Sequence, residues 1–173
     1  MLNGESVLAF RAGPGAIEHV REHGIAPADI ACIPAAAGGP KGLALIPLDK
    51  LLFREWLRPA AAPVELIGAS IGAWRMAALA QPDPLDALDR LQHAYVHDQC
   101  YTEKPTPREV AATCRRIAQA VLGGRPLEVR DRVSLAIITA RARGPLAGAE
   151  SKAAFARAVL SNAVSRERLA GHL

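Results

Sequence analysis

A serine hydroxyl becomes a useful nucleophile when a turn exposes it and a base takes its proton. One serine in this sequence stands in a setting that suits such chemistry. Gly68-Ala69-Ser70-Ile71-Gly72 fits the pattern G-x-S-x-G, with the strand-like VELIGA leading into the serine and IGAWRMAALA after it. In a strand-to-helix elbow, backbone and helix crowd the positions two before and two after the serine. Gly68 and Gly72 meet that need, and Ala69 is small as well. Ser70 would then open a helix, where free N–H groups and the helix dipole favour developing negative charge. The same five residues also suit an ordinary turn in which Ser70 simply caps the helix.

A second glycine-rich turn favours the elbow. Ala37-Gly38-Gly39-Pro40-Lys41-Gly42 lies one strand–helix unit earlier. Acyl transfer needs N–H donors aimed at a tetrahedral oxyanion, and adjacent glycines supply them with no side chain in the way. Lys41 adds a positive charge. The bland alternative is a tight loop or a phosphate site, although the P-loop pattern G-x-x-x-x-G-K-[ST] is not satisfied. Glycine turns that follow consecutive parallel strands lie side by side at the C-terminal sheet edge. Ser70 is therefore the candidate nucleophile, and Gly38, Gly39, Lys41 and Gly42 are the candidate oxyanion loop.

The elements that must position these residues are legible in the pattern of apolar runs. Residues 5–10 read as a strand and 16–24 as a helix closed by Gly24. Residues 30–37 are apolar throughout, which suits a parallel strand buried on both faces. Helical spacing resumes over 43–57, with Pro47 tolerable in the first turn. A second strand spans 64–69, and its helix runs on to residue 80. Asp83 and Pro84 look like the cap and first position of the next helix. Thr106-Pro107-Arg108-Glu109 reads as a capping box, opening a helix that ends at Gly123-Gly124. Residues 132–140 form a third strong strand, and 151–173 a last helix. Alternating strands and helices predict an α/β fold with a mainly parallel sheet flanked by helices, as one domain over 1–173.

At its two glycine turns the sequence resembles the patatin-like phospholipases. AAAGGPKG followed by LIGASIGAW is similar to that family's glycine-rich oxyanion loop with a basic residue, placed before a G-x-S-x-G serine. The resemblance is specific over about residues 30–80 and vaguer after them. It implies a three-layer α/β/α sandwich and a Ser-Asp dyad acting on lipid or small ester substrates, with peripheral membrane contact. The family's catalytic Asp lies in an Asp-Gly motif downstream of the serine, and no Asp-Gly dipeptide occurs here. Asp29, Asp49, Asp83, Asp86, Asp89 and Asp98 read mostly as helix caps or polar helix faces. Asp131 precedes a strand, at the edge away from the serine. The expectation is an N-terminal portion of a patatin-like domain, its base supplied by sequence beyond this chain.

Two other readings stand beside hydrolysis. A non-catalytic remnant or binding module would keep the glycine turns without the chemistry. Its bare sheet edge would pair in a homodimer or with a complementing C-terminal fragment. Acyl transfer to an acceptor other than water would use the same Ser70. Trp74, Met76 and Leu79 on the helix after Ser70 could line an acyl pocket, although core packing is the favoured role for each.

Composition narrows the remaining classes. Only 4% of residues are aromatic, so Ala, Leu, Ile and Val must build the core. A net charge of +4 is mild, and the arginines are scattered along helices. That pattern reads as solvated faces, with no nucleic-acid partner. Cys32, Cys100 and Cys114 show no CxxC spacing, which points to a reduced, cytoplasmic protein; Cys32, in its apolar run, reads as core. The pairs His19/His23 and His93/His97 have i, i+4 spacing but no third ligand, and read as surface residues. No metal or cofactor is expected. The most apolar stretch, 30–48, is interrupted by Gly38, Gly39, Pro40 and Lys41 and cannot span a bilayer.

Overall fold

The computed structural model describes residues 11–57 and 63–141, together with 156, 159, 160 and 163–165. Three parallel strands form its sheet: β1 (Cys32–Ala35), β2 (Val64–Ala69) and β3 (Val133–Ile138), in that spatial order. The register places Ala35 beside Gly68, and Ala69 beside Ile138. The chain is thus an α/β fold with a parallel sheet, and β2 is flanked on both sides. The expected strand at 5–10 and most of the expected helix at 151–173 lie outside the described residues.

The helices are α1 (Ile17–His23), α2 (Ile46–Leu51), α3 (Ile71–Leu79), α4 (Pro84–His93) and α5 (Pro107–Val121). Gly24 ends α1 with φ 75°, and Gly123 and Gly124, at 60° and 71°, follow α5, as their glycine signals predict. The stretch 43–57 is not one regular helix. A tight 3₁₀ segment, Gly39–Leu45, leads into α2, which widens into a π-type turn over Leu52–Trp56. Pro47 falls in the first turn of α2, where its missing N–H costs nothing.

Helix α3 packs on all three strands, and α4 and α5 pack behind it. Alternation along the strands decides which residues they meet. Ile33, Ala35, Val64, Leu66, Val133 and Leu135 share the helix-covered face. Leu66, Met76, Leu79, Leu88, Leu91 and Ile117 are almost completely buried there. Each such side chain contributes about 1.5–3 kcal/mol by leaving water. Cys32, Pro34, Glu65 and Ser134 point to the opposite face and are exposed.

That exposure corrects two expectations. Strand β1 is not buried on both faces, and Cys32 is not a core residue. An unbroken apolar run cannot reveal which face lacks a covering layer; its central neighbour β2 is the better buried. The described helices α2–α5 build a single layer against the sheet, so the second helical layer of a three-layer sandwich is not among the described residues.

The caps also differ in detail. Thr106 accepts from the Glu109 N–H at 3.2 Å, but the Glu109 carboxylate turns to Thr102 instead of closing the box. Asp83 makes no cap hydrogen bond; it accepts from Arg90 Nη1 at 2.9 Å. That guanidinium holds the Asp83 carboxyl below its ordinary value of 3.8. Arg90 also donates to the Val121 carbonyl, satisfying the C-terminal end of α5.

Candidate active site

Ser70 occupies the single residue between the end of β2 and the start of α3. Its backbone has φ 54° and ψ −125°, a region that L-residues with a Cβ avoid. Among the described residues only one other non-glycine residue, Arg132, has positive φ. An ordinary N-cap serine takes extended backbone and accepts a bond from the first helical turn. Ser70 does neither: its side chain makes no cap hydrogen bond and the residue is exposed. Ser70 is therefore a strained, outward-facing residue in a strand-to-helix turn, not an ordinary cap.

The neighbouring glycines are required by close approach. A Cβ on Gly68 would fall 2.5 Å from the backbone of Ala73, and one on Gly72 only 2.2 Å from the Ala35 carbonyl oxygen. Atoms at such distances are backbone on both sides, so no side-chain adjustment relieves them. Gly72 therefore sits flush against Ala35, the last residue of β1, and Ala36 just after it. A Cβ on Gly42 would meet the Ile71 side chain at 2.6 Å. The two residues after Ser70 thus touch both ends of the 35–42 turn, which brings the two glycine turns together at the C-terminal edge of the sheet.

Within that turn, Gly38 is extended at φ −172°, and Gly39 takes the left-handed conformation at φ 56°. Neither N–H donates to a backbone carbonyl among the described residues. The first-turn amides of α3 have no intrahelical acceptors either. Gly42 is buried under Ile71, while Lys41 is exposed on the 3₁₀ segment. The arrangement offers several N–H donors near one strained serine, the raw material of an oxyanion hole.

A cavity of about 390 Å³ opens at Ser70. Ala73, Trp74 and Ala77 of α3, Ala118 of α5, Leu122 just after that helix, and Leu127, Ile137 and Ile138 line it. Its walls are almost wholly apolar, and none of these residues is an acid or an imidazole. Trp74 belongs to this cavity, whereas Met76 and Leu79 are fully buried core. The contribution of α5 and β3 escapes a sequence reading, because nothing local in the residues around 118 or 137 signals which face meets Ser70.

None of the described acids or histidines lines this cavity. Asp131 is exposed before β3, at the opposite end of the parallel sheet, about 20 Å from the serine edge for a strand of this length. His19 contacts Asp29 at 3.3 Å and stacks on His23, and His93 lies against His97. Among the described residues no three His, Cys, Asp or Glu side chains are grouped to hold a metal ion, and no helix is long and apolar enough to cross a membrane.

Asp49 and Arg75 correct the sequence reading most sharply. Neither lies on a solvated face: both are 6% exposed and joined by two hydrogen bonds of 2.7 Å, Nε to Oδ2 and Nη2 to Oδ1. The signal was present in their spacing. Asp49 is three residues from Ile46 and four from Phe53, and Arg75 is four from Ile71 and Leu79, all buried positions. Comparison with family models, with curated proteins and with solved structures finds no match.

Proposed function

We propose that this protein is a serine acyl hydrolase of the patatin-like type, cleaving carboxylic esters with an apolar acyl group through an acyl-enzyme on Ser70. The observation that carries this reading is the backbone of Ser70, held at φ 54° at the end of the central strand and opening on an apolar cavity. Strain of this kind persists where the surroundings impose it, and it clusters at functional sites. The resemblance of AAAGGPKG and LIGASIGAW to patatin-like phospholipases supports the same class, with its three-layer sandwich as the complete fold.

Ser70 Oγ attacks the ester carbonyl carbon while its proton passes to a base. The carbonyl oxygen becomes an oxyanion, received by N–H groups of the Gly38–Gly39 turn and of Ile71. Collapse expels the alcohol, which takes up the proton. Water then attacks the acyl-enzyme in the same way and frees the acid. The base would come from outside the described residues, since none of the residues lining the cavity is an acid or an imidazole. Hydrolysis of p-nitrophenyl esters by the wild type, lost in Ser70→Ala, is the direct test.

The same lack of a base in the cavity wall favours a second reading, a binding module that retains the turns without turnover. It predicts that esters bind at Ser70 with no release of p-nitrophenol, and that Ser70→Ala binds them equally well.

A further inference from the structure

We infer that Asp49 and Arg75 are positioning residues, whose buried ion pair fixes the oxyanion turn relative to Ser70. The inference rests on the acyl-hydrolase reading of Ser70. Arg75 lies on α3, five residues beyond the nucleophile, and Asp49 lies on α2, directly after the 3₁₀ segment that carries Gly39, Lys41 and Gly42. The pair joins the two segments that supply the nucleophile and the oxyanion donors.

Its geometry is suited to that task. A planar guanidinium meeting a carboxylate through two parallel bonds constrains rotation as well as distance. With both bonds at 2.7 Å and both side chains buried, α2 can neither slide nor turn against α3 without breaking a desolvated contact. Among the described residues neither partner leaves a buried polar atom unsatisfied. Stability alone is a poor reason for such a pair, since well-packed apolar replacements are often as stable. The neighbouring contacts are steric: Ile71 against Gly42, and Gly72 against Ala35. They limit how near the turn may come to the elbow, and the ion pair prevents it from moving away.

The test uses the double variant Asp49→Leu/Arg75→Met, which removes both charges, with Arg75→Lys, which keeps charge but loses the fork. Two quantities are read on the full chain. One is amide hydrogen exchange over residues 38–45, with residues 107–121 of α5 as internal reference. The other is the rate of Ser70 labelling by a fluorophosphonate, with ester kcat and KM alongside. In the double variant, exchange over 38–45 is expected to rise about tenfold while α5 stays unchanged. Labelling and kcat are expected to fall about 10- to 100-fold, the scale of a small misplacement near reacting atoms. KM is expected to hold, because neither residue lines the cavity. Arg75→Lys should fall between. Loop exchange equal to wild type, or a rise shared equally by α5, overturns the inference. A wild type that takes no label defeats the acyl-hydrolase reading instead, and the exchange measurement still decides whether the pair holds the turn.

Discussion

If Ser70 is strained for function, replacing it with glycine should make the protein more stable. Its backbone at φ 54°, ψ −125° lies where only glycine is comfortable. Residues held in such regions cost about 1–3 kcal/mol. The serine side chain returns none of this through bonding, since it makes no cap hydrogen bond and is exposed. Against the relief stands the greater freedom of glycine in the unfolded chain, about 0.5–1 kcal/mol. Ser70→Gly is therefore expected to gain up to about 2.5 kcal/mol, with about 1 kcal/mol as the central value. For a chain of this size each kcal/mol moves Tm by about 2–4 °C, so the central expectation is a rise of about 2–4 °C. Ser70→Ala serves as the control: it removes the same hydroxyl but keeps the Cβ and hence the strain, and should stay within about 0.5 kcal/mol of wild type. Thermal unfolding followed by circular dichroism, with urea titration as a second measure, reads all three proteins. A Ser70→Gly protein no more stable than Ser70→Ala would refute the assignment of strain.

The glycines of the two turns should respond in opposite ways. Gly72→Ala places a Cβ 2.2 Å from the Ala35 carbonyl oxygen and is expected to cost at least about 1–3 kcal/mol in urea unfolding, whereas Gly38→Ala meets nothing within 4 Å and should be near neutral. Filling the cavity should shorten the preferred acyl chain. Ala118→Phe is expected to lower kcat/KM on the longest accepted p-nitrophenyl ester by about tenfold, the worth of two lost methylene contacts, and to spare the acetate. Acid should unfold the protein partly through Asp83. Its carboxyl is depressed mainly by the hydrogen bond from Arg90, so its stabilisation is full above the unfolded value of 3.8 and is lost as pH falls through the lower folded value. Asp83→Asn should therefore be less stable at neutral pH and show a shallower decline between about pH 5 and pH 2 in urea titrations.

The fold was legible wherever a short-range rule decides the backbone. VELIGA forms β2 over the expected residues, because a short, mostly apolar run bounded by a proline and a glycine turn leaves few alternatives. Gly24 and Gly123-Gly124 stop their helices, and Pro84 and Pro107 begin theirs, each through a backbone property of its own. The tight strand-to-helix turn at Ser70 was legible for the same reason, since two crowded glycines around one residue are a local steric pattern. What the sequence concealed depends on layers. The exposed face of β1, and Cys32 with it, follows from which side of the sheet the described helices cover. The Asp49–Arg75 pair was hidden by a habit of reading charges as surface, though the spacing of their buried neighbours pointed inward. The cavity walls from α5 and β3 depend on tertiary packing that no single stretch encodes.

Intact-mass labelling with a fluorophosphonate decides whether Ser70 is an activated nucleophile. An activated Ser70 gives one adduct on the folded wild-type protein, mapped to Ser70 and absent from Ser70→Ala. A folded wild type that takes no adduct, or one whose adduct survives in Ser70→Ala, would contradict that activation.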